Sequence, residues 1–437
     1  MALGQWRKSG GFLESFLEKQ IKQANLDTRD SAFAQKITQG VLQNRNLLDF
    51  YIGHYSSMPT TKIQPPILDI LRLSAYQMIF LDKVPHSAAV NEGVSLAKGQ
   101  NPKAAGFVNA VLRRISEHAN NLPKVNTEDK LSYLSTQYSH PTWFITRMLH
   151  ILGDEETQKL LSANNIEPPI YAQVNTLKTD MVALQTALEH EGINPTAHPW
   201  LDNCLLLSNT GNLQKIDLFQ KGHFYIQDPA ARLAIEAFNP KPGMRILDAC
   251  SAPGGKSFAT AIKMGNLGEI LSSDINKGKL PKIEEGANRL GISILQTKHM
   301  DAKTLDPETE GYFDGIIVDA PCSGLGIIRK KPEVRYKEEN DILNLPAIQL
   351  DILRKASTCL KPGGALLYAT CTILPEENEE VVAKFLAENP AFSLESFTLP
   401  GEIGKVAKGY ISLYPHKHQT DGFFIARLRK EEEHAKT

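Results

Sequence analysis

Cysteine is scarce in this sequence, and its spacing forms no recognisable pairs. No CxxC motif and no cysteine–histidine cluster occurs among the five cysteines, which are Cys204, Cys250, Cys322, Cys359 and Cys371. This spacing excludes a disulfide framework and a zinc site, so we expect no bound metal. In a reducing compartment all five are free thiols, and each is either a small buried hydrophobe or a reactive group.

Long apolar runs are also missing. The most apolar stretch, Ile67–Leu81, contains Asp69 and Arg72 and is too short to span a bilayer. The first twenty residues place charges among their apolar positions and lack the uninterrupted core of a signal peptide. We therefore expect a cytoplasmic protein without a membrane partner.

The composition is that of a globular protein. Of the 437 residues, 42% are hydrophobic and 22% are charged, and the chain is too long for one compact core. The net charge of −1 conceals a basic first part, because residues 1–120 hold 14 Lys and Arg against 9 Asp and Glu. This excess suits a polyanionic partner, but it equally suits an ordinary solvated surface.

The apolar periodicity divides the chain into three predicted domains. Residues 1–125 show helical spacing without strand-like alternation, which predicts an all-helical domain. Residues 126–223 open with a polar linker and continue as a small α/β linking module. Residues 224–437 alternate strands and helices, which predicts a Rossmann-like α/β domain with a mostly parallel, seven-stranded sheet. The predicted strands are 244–249, 269–273, 292–297, 312–318 and 364–369, with 410–413 and 422–428 as a terminal hairpin.

A glycine pair follows the first strand of the third domain. Gly254 and Gly255 lie at the turn from this strand into a helix, where backbone amides can approach a ligand closely. A nucleoside triphosphate loop is excluded because it needs glycine at position 250, which is cysteine. The dinucleotide fingerprint G-x-G-x-x-G is absent as well.

Acidic residues follow the next two strands. Asp274 lies about twenty residues after the glycine turn, where a carboxylate can accept both hydroxyls of a ribose. Asp301 follows the third strand. A glycine turn and two acids at successive strand ends fit an adenosine cofactor without phosphates, which indicates S-adenosylmethionine. Taken alone, Asp274 also fits the cap of a helix.

Two cysteines follow buried strands. Asp319 and Cys322 come directly after the apolar run 316–318, and Cys371 comes after the run 365–369. In an open α/β sheet, ligands bind at the carboxyl ends of the strands, so an acid and two thiols there indicate chemistry. The residues alone do not decide which thiol would attack a substrate.

Three stretches of the first domain occur in an order that resembles a known fold. Ile67–Leu81, Pro85–Glu92 and Gly106–Ile115 together are similar to the RNA-binding NusB domain of bacterial antitermination factors. This resemblance implies an RNA-binding role for the all-helical domain.

Four motifs resemble the RNA cytosine-5 methyltransferase family. They are Asp-Ala-Pro-Cys-Ser-Gly at 319–324, Ala-Thr-Cys-Thr at 369–372, Asp-Ala-Cys-Ser-Ala-Pro-Gly-Gly-Lys at 248–256 and His-Gln-Thr-Asp-Gly-Phe-Phe at 418–424. With the NusB-like domain in front, the chain is similar to the 16S rRNA methyltransferases of the Sun, Fmu and RsmB type.

The resemblance implies a role for each motif. Cys371 would attack carbon-6 of the cytosine, Cys322 would assist proton removal and product release, and Asp319 would hold the base edge. The substrate would be 16S ribosomal RNA, either naked or in an early assembly particle, and we expect a monomeric enzyme. The implied residues for binding S-adenosylmethionine are Cys250, Ser251, Ala252, Pro253, Gly254, Gly255, Lys256, Asp274, Asp301 and Asp319.

Other interpretations stay open. Methylation of transfer RNA uses the same residues, and a catalytically silent RNA-binding assembly or antitermination factor would keep the same domains. The basic stretch Arg329–Lys331 and nearby Arg335 fit either RNA phosphate contacts or a solvated loop.

Overall fold

The chain folds into two compact units. The computed structural model describes residues 2–11, 13–304 and 307–432. The first unit comprises Met1–Glu167 and the short segment Ile328–Lys337, and the second comprises Pro168–Ile327 and Glu338–Thr437. The division into three domains at residues 125 and 223 stays a prediction. Within the described ranges, no helix is long and apolar enough to cross a membrane.

The first unit is helical, as predicted for residues 1–125. Its α-helices in the described part of the chain are α1 (Ala2–Ser9), α2 (Leu13–Ala24), α3 (Thr28–Gln43), α4 (Arg45–Tyr55), α5 (Pro65–Phe80), α6 (His86–Gln100), α7 (Ala105–His118), α8 (Lys130–Tyr138), α9 (Thr142–Leu152) and α10 (Asp154–Ala163). Helix α7 illustrates why they pack. Val108, Leu112 and Ile115 recur at helical spacing and are fully buried, whereas Arg113 on another face is exposed.

One buried arginine joins the segment Ile328–Lys337 to the helices of the first unit. Arg335 is completely buried, and its guanidinium donates to the carbonyl of Gln43 at 2.8 Å and to Oδ1 of Asn165 at 2.9 Å. It also donates to three further backbone carbonyls, those of Tyr138, Ser139 and Asn164. These acceptors are neutral, and burial lowers the pKa of Arg335 to about 10. A buried guanidinium is not available to RNA phosphates, so that interpretation of Arg335 is wrong.

We expect Arg335→Ala to lower the free energy of unfolding by about 3–5 kcal/mol, because it leaves buried carbonyls without donors and opens a cavity. Chemical denaturation measures this change. Arg113→Ala, which removes an exposed arginine from the same unit, is the matched control and is expected to change stability by less than about 0.5 kcal/mol. Equal effects of the two substitutions would contradict the structural role of Arg335.

The second unit begins with a small antiparallel sheet of strand order β2-β3-β1-β4. Its elements are β1 (Ile170–Val174), α11 (Met181–His190), β2 (Asn194–Ala197), β3 (Cys204–Ser208), α12 (Asp217–Gln220) and β4 (Phe224–Ile226). Leu184 and Leu188 are four residues apart on α11, and both are buried with the sheet. These elements lie mostly within the predicted α/β linking module of residues 126–223, but helices α8 to α10 of that stretch belong to the first unit.

A larger sheet forms the rest of the second unit. Its strands are β5 (Arg245–Asp248), β6 (Glu269–Asp274), β7 (Leu295–His299), β8 (Phe313–Asp319), β9 (Leu360–Thr370), β10 (Phe392–Leu394), β13 (Tyr410–Leu413) and β14 (Phe423–Lys430). A separate two-stranded sheet consists of β11 (Phe397–Leu399) and β12 (Gly404–Val406). The helices of this part are α13 (Pro229–Phe238), α14 (Gly255–Lys263), α15 (Leu280–Leu290), α16 (Leu345–Thr358), α17 (Glu379–Glu388) and α18 (Pro415–His418).

The large sheet is mostly parallel, as predicted, but in the described part of the chain it has eight strands instead of seven. The order is β10-β14-β9-β8-β5-β6-β7, and β13 pairs with β14. Strands β5 to β9 are parallel, whereas β14 runs antiparallel to β9 and forms the predicted terminal hairpin with β13. The additional strand β10 covers only three residues, which is too short for an alternating pattern to reveal it.

The sheet topology places the predicted site residues at one edge. Strand β5 pairs in parallel with both β6 and β8. The chain therefore adds β6 and β7 on one side of β5 and then returns to add β8 on its other side. Asp319 at the end of β8 lies opposite Ala369 near the end of β9. In open α/β sheets the crevice at such a reversal is where ligands bind.

Candidate active site

Two thiols meet at the carboxyl ends of β8 and β9. Cys322 lies three residues beyond the end of β8, and Cys371 directly follows β9. Their Sγ atoms are 3.2 Å apart, and both residues are partly exposed. The connecting loops are also joined, because the amide of Gly326 donates to the carbonyl of Cys371 at 2.9 Å. Residues that are 49 positions apart in the chain therefore form one pair of thiols.

The two thiols are not equivalent. The hydrogen bond with Cys371 and burial both raise the pKa of the Cys322 thiol well above its ordinary value. The negative charge of Glu377 acts in the same direction. Because only a thiolate attacks an electrophile efficiently, this environment disfavours attack by Cys322 near neutral pH.

An ion pair connects the glycine turn with the thiol loop. Lys256, in the first turn of α14, donates from Nζ to Oδ2 of Asp319 at 2.6 Å. The lysine side chain is only 9% exposed, and its Nζ also lies 4.9 Å from the centre of the Phe423 ring. A buried cation is thereby held at the carboxylate that precedes Cys322.

The glycine turn leaves little room for side chains. Gly254 has φ = 105°, and a Cβ there would lie 2.6 Å from the ring of Phe258. A Cβ on Gly255 would lie 2.9 Å from Nε2 of Gln227. The preceding Ser251 is buried and bonds to the carbonyl of Ser273 through both its amide and its hydroxyl. The turn is thus tied to the end of β6.

Asp274 binds backbone amides at the end of β6. Its Oδ2 accepts from the amide of Ala252 at 3.2 Å, and its Oδ1 accepts from the amide of Asn276 at 2.8 Å. The short helical turn that follows is capped by Asn276, which argues against a helix-capping role for Asp274. Asp301 lies two residues beyond the end of β7 and is half-buried.

The acids gather around Cys250. Burial raises the pKa of its thiol, and the negative charges of Asp248, Asp319, Asp274 and Asp301 raise it further. The acids that the sequence places at successive strand ends therefore lie around the Cys250 thiol. A thiol with a raised pKa is a poor nucleophile, which argues against a reactive role for Cys250.

Asp248 was not among the predicted site residues. It ends β5, is fully buried, and accepts a hydrogen bond from the hydroxyl of Ser257 at 2.6 Å. Its second oxygen, Oδ1, has no partner among the described residues. Burial raises the pKa of Asp248 to about 7. A carboxylate that ends a strand in the glycine-turn motif is the sequence signal that would have pointed to it.

The raised pKa of Asp248 gives stability a pH dependence of known sign. Between about pH 4 and pH 7 the folded protein keeps a proton that the unfolded chain has lost, so this group lowers stability as the pH rises. We expect the wild type to lose on the order of 2–4 kcal/mol of unfolding free energy through this group as the pH rises across that range, and Asp248→Asn to abolish this loss. Urea denaturation at a series of pH values measures the difference. The exposed Asp351→Asn serves as the substitution control. Curves for Asp248→Asn and wild type that stay parallel would contradict the prediction.

Three family models match the chain. The model described as 16S rRNA methyltransferase RsmB/F matches residues 235–429, and the NusB family model matches residues 1–117. The RsmF/B-like ferredoxin-like domain matches residues 140–214.

Two known proteins are similar over nearly the whole length of this chain, and a third is similar over two thirds of it. The probable ribosomal RNA small subunit methyltransferase B of Bacillus subtilis is 37% identical, with 98% of this chain and 97% of that protein aligned. The crystal structure of PH0851 is 28% identical and has a TM-score of 0.80 over 98% of this chain and 96% of its own. NSun6 from Pyrococcus horikoshii, solved with SFG, is 26% identical and has a TM-score of 0.61 over 67% of this chain and 99% of its own.

Proposed function

This chain belongs to the RsmB/F family of 16S rRNA methyltransferases, and we propose that it methylates carbon-5 of one cytosine in 16S ribosomal RNA, using S-adenosylmethionine. The observation that carries the proposal is the pair of thiols 3.2 Å apart at the carboxyl edge of the sheet. Methylation at an oxygen or at an exocyclic nitrogen needs no thiol nucleophile, whereas methylation at carbon-5 of cytosine does.

The chemistry of the base explains the thiols. Carbon-5 of cytosine is a poor nucleophile until a thiolate adds to carbon-6 and converts the ring to an enamine. In this proposal Cys371 adds, as the resemblance to the RNA cytosine-5 methyltransferases implies, and the raised pKa of Cys322 disfavours attack by the other thiol. After carbon-5 is methylated, its proton must leave so that the bond between carbon-6 and sulfur can break. Cys322, next to Cys371, assists this proton removal.

The glycine turn and the strand-end acids fit the cofactor. Contacts with Phe258 and Gln227 leave no room for side chains at residues 254 and 255. The backbone of such a glycine turn, and the helix amides beyond it, can approach a ligand closely. Asp274 and Asp301 would hold the ribose and the base, and the residues of the turn from Cys250 to Lys256 would line the same site. S-adenosylmethionine supplies the methyl group when it is bound.

Asp319 and Lys256 support the reacting base in this proposal. Their ion pair holds the Asp319 carboxylate in place at the end of β8. Asp319 lies three residues before Cys322 and opposite Ala369, near the end of the strand that Cys371 follows. A carboxylate there can accept from the exocyclic amine of cytosine, and the neighbouring ammonium stabilises negative charge on the ring as the thiolate adds.

Methyl transfer from labelled S-adenosylmethionine tests the proposal. Protein-free 16S RNA, small ribosomal subunits and bulk transfer RNA serve as parallel substrates, and the modified base is mapped and identified. We expect a single 5-methylcytosine in 16S RNA. Label found only in transfer RNA would favour the alternative substrate, and cofactor binding without any transfer would favour a silent RNA-binding factor.

A further inference from the structure

A buried carboxylate holds the loop that carries Cys322. Glu377 is 1% exposed, and its Oε2 accepts from the amide of Ser323 at 2.8 Å. The same oxygen accepts from Nε2 of Gln349 at 2.9 Å, and that nitrogen also donates to the carbonyl of Pro321 at 3.0 Å. The two residues that flank Cys322 are thus fixed by Glu377, directly on one side and through Gln349 on the other.

The next residue in the chain does the same for Cys371. Asn378 is fully buried, and its Oδ1 accepts from the hydroxyl of Thr370 at 2.6 Å. Its Nδ2 donates to the carbonyl of Thr372 at 3.1 Å. Asn378 therefore contacts both residues that flank Cys371.

Further hydrogen bonds hold the turn that carries this pair. The hydroxyl of Tyr368 donates to the carbonyl of Glu377 at 2.6 Å, and Tyr368 itself is completely buried in β9. The hydroxyls of Ser323 and Thr372 also lie 2.8 Å apart, which joins the two cysteine loops directly. Two adjacent residues on one supported turn consequently fix both thiols relative to each other.

We propose that Glu377 and Asn378 are positioning residues that set the separation of the two thiols, Glu377 through the Cys322 loop and Asn378 through the Cys371 loop. The proposal rests on the proposed cysteine chemistry, in which both thiols must reach one base. A misplacement of about 1 Å can cost roughly 100-fold in rate, so such buried hydrogen bonds matter for turnover.

Glu377 has an electrostatic effect in addition to its geometric one. Its second oxygen, Oε1, is buried and has no hydrogen-bond partner among the described residues. Part of its charge therefore stays uncompensated in the interior, where repulsion of a nearby thiolate is strong. The carboxylate thus adds to the hydrogen bond with Cys371 and to burial in disfavouring attack by a Cys322 thiolate, and a raised pKa makes any thiolate formed there a stronger base for the carbon-5 proton.

The first test measures thiol reactivity and needs no RNA. In a Cys371→Ser background, the rate of Cys322 alkylation by iodoacetamide is followed against pH by mass spectrometry of the modified peptide. We expect Glu377→Gln to shift the profile to lower pH, because removal of the negative charge makes the thiolate easier to form. Glu377→Asp keeps the charge and is expected to remain near the parent profile. Glu380→Gln changes an exposed glutamate of the adjacent helix α17 and is the matched control.

The second test measures turnover with both cysteines present. We expect Glu377→Gln, Glu377→Asp and Asn378→Ala to lower kcat for RNA methylation by roughly 10- to 100-fold with little change in KM. Cofactor binding and thermal unfolding verify that each variant is folded. If Glu377→Gln does not fold, Glu377→Asp still tests the positioning role.

The outcomes separate this inference from the proposed function. If wild-type protein makes no 5-methylcytosine, the proposed function fails, while the alkylation profiles still report on Glu377. If wild-type protein is active, and the folded Glu377 and Asn378 variants match Glu380→Gln in kcat and in alkylation profile, the positioning role is overturned.

Discussion

Cys371→Ala is expected to reduce methyl transfer to RNA by more than about 10³-fold, equivalent to over about 4 kcal/mol of transition-state stabilisation. Without its thiolate, carbon-6 of the cytosine has no nucleophile and carbon-5 stays unreactive. We expect Cys322 not to substitute, because burial and the charge of Glu377 still raise the pKa of its thiol when Cys371 is replaced. Initial rates with labelled S-adenosylmethionine and 16S RNA measure the effect.

The sequence offers a matched control for this experiment. Cys359 is a buried thiol with a hydroxyl neighbour at 3.2 Å, the side chain of Thr309. It directly follows helix α16 and lies outside the strand-end motifs. We expect Cys359→Ala to retain methyl transfer within about twofold. Binding of S-adenosylmethionine is expected to survive in both variants. A Cys371→Ala protein that methylates at the wild-type rate would exclude Cys371 as nucleophile.

Cys322→Ala is expected to trap the enzyme on its RNA. Cys371 still adds to carbon-6 and the base is still methylated, but removal of the carbon-5 proton is slowed, so the bond between sulfur and carbon-6 persists. A band of protein with attached RNA should therefore appear in denaturing gels, carrying label from S-adenosylmethionine. Multiple turnover is expected to fall by about 10²-fold or more, the range for loss of a positioned acid–base group.

The double substitution identifies the bond. Cys322→Ala combined with Cys371→Ala should give no band, because the attacking sulfur is gone. If the band appears instead in the Cys371→Ala protein and disappears when Cys322 is also replaced, the two roles are reversed. The 3.2 Å separation of the thiols makes either assignment sterically accessible, so this experiment decides between them.

The sequence was sufficient for most of the fold. Apolar runs of strand length, separated by helical periodicity, predicted the parallel sheet and the terminal hairpin, because both patterns are local. The helical first unit was predictable for the same reason. The three-residue strand β10 was missed, since its formation depends on pairing with β14 at the edge of the sheet.

The elements of the site were likewise readable as motifs, but their contacts were not. The predicted roles of the cysteines and the strand-end acids stay predictions for the experiments above. The ion pair of Lys256 with Asp319 joins residues 63 positions apart, and no local pattern specifies such a contact. Arg335 has the appearance of an RNA-binding residue in the sequence, yet its partners lie between 170 and 292 positions away.

Sequence by itself therefore determined which chemical groups this protein carries and at which strand ends they lie, because strand periodicity and motif spacing are properties of consecutive residues. Only the tertiary structure decided which of these groups meet. The separation of the two thiols, the buried contacts of Glu377 and Asn378, and the inclusion of Ile328–Lys337 in the first unit all depend on packing between distant segments. Burial also raises the pKa of Asp248, since desolvation acts on position and not on residue type.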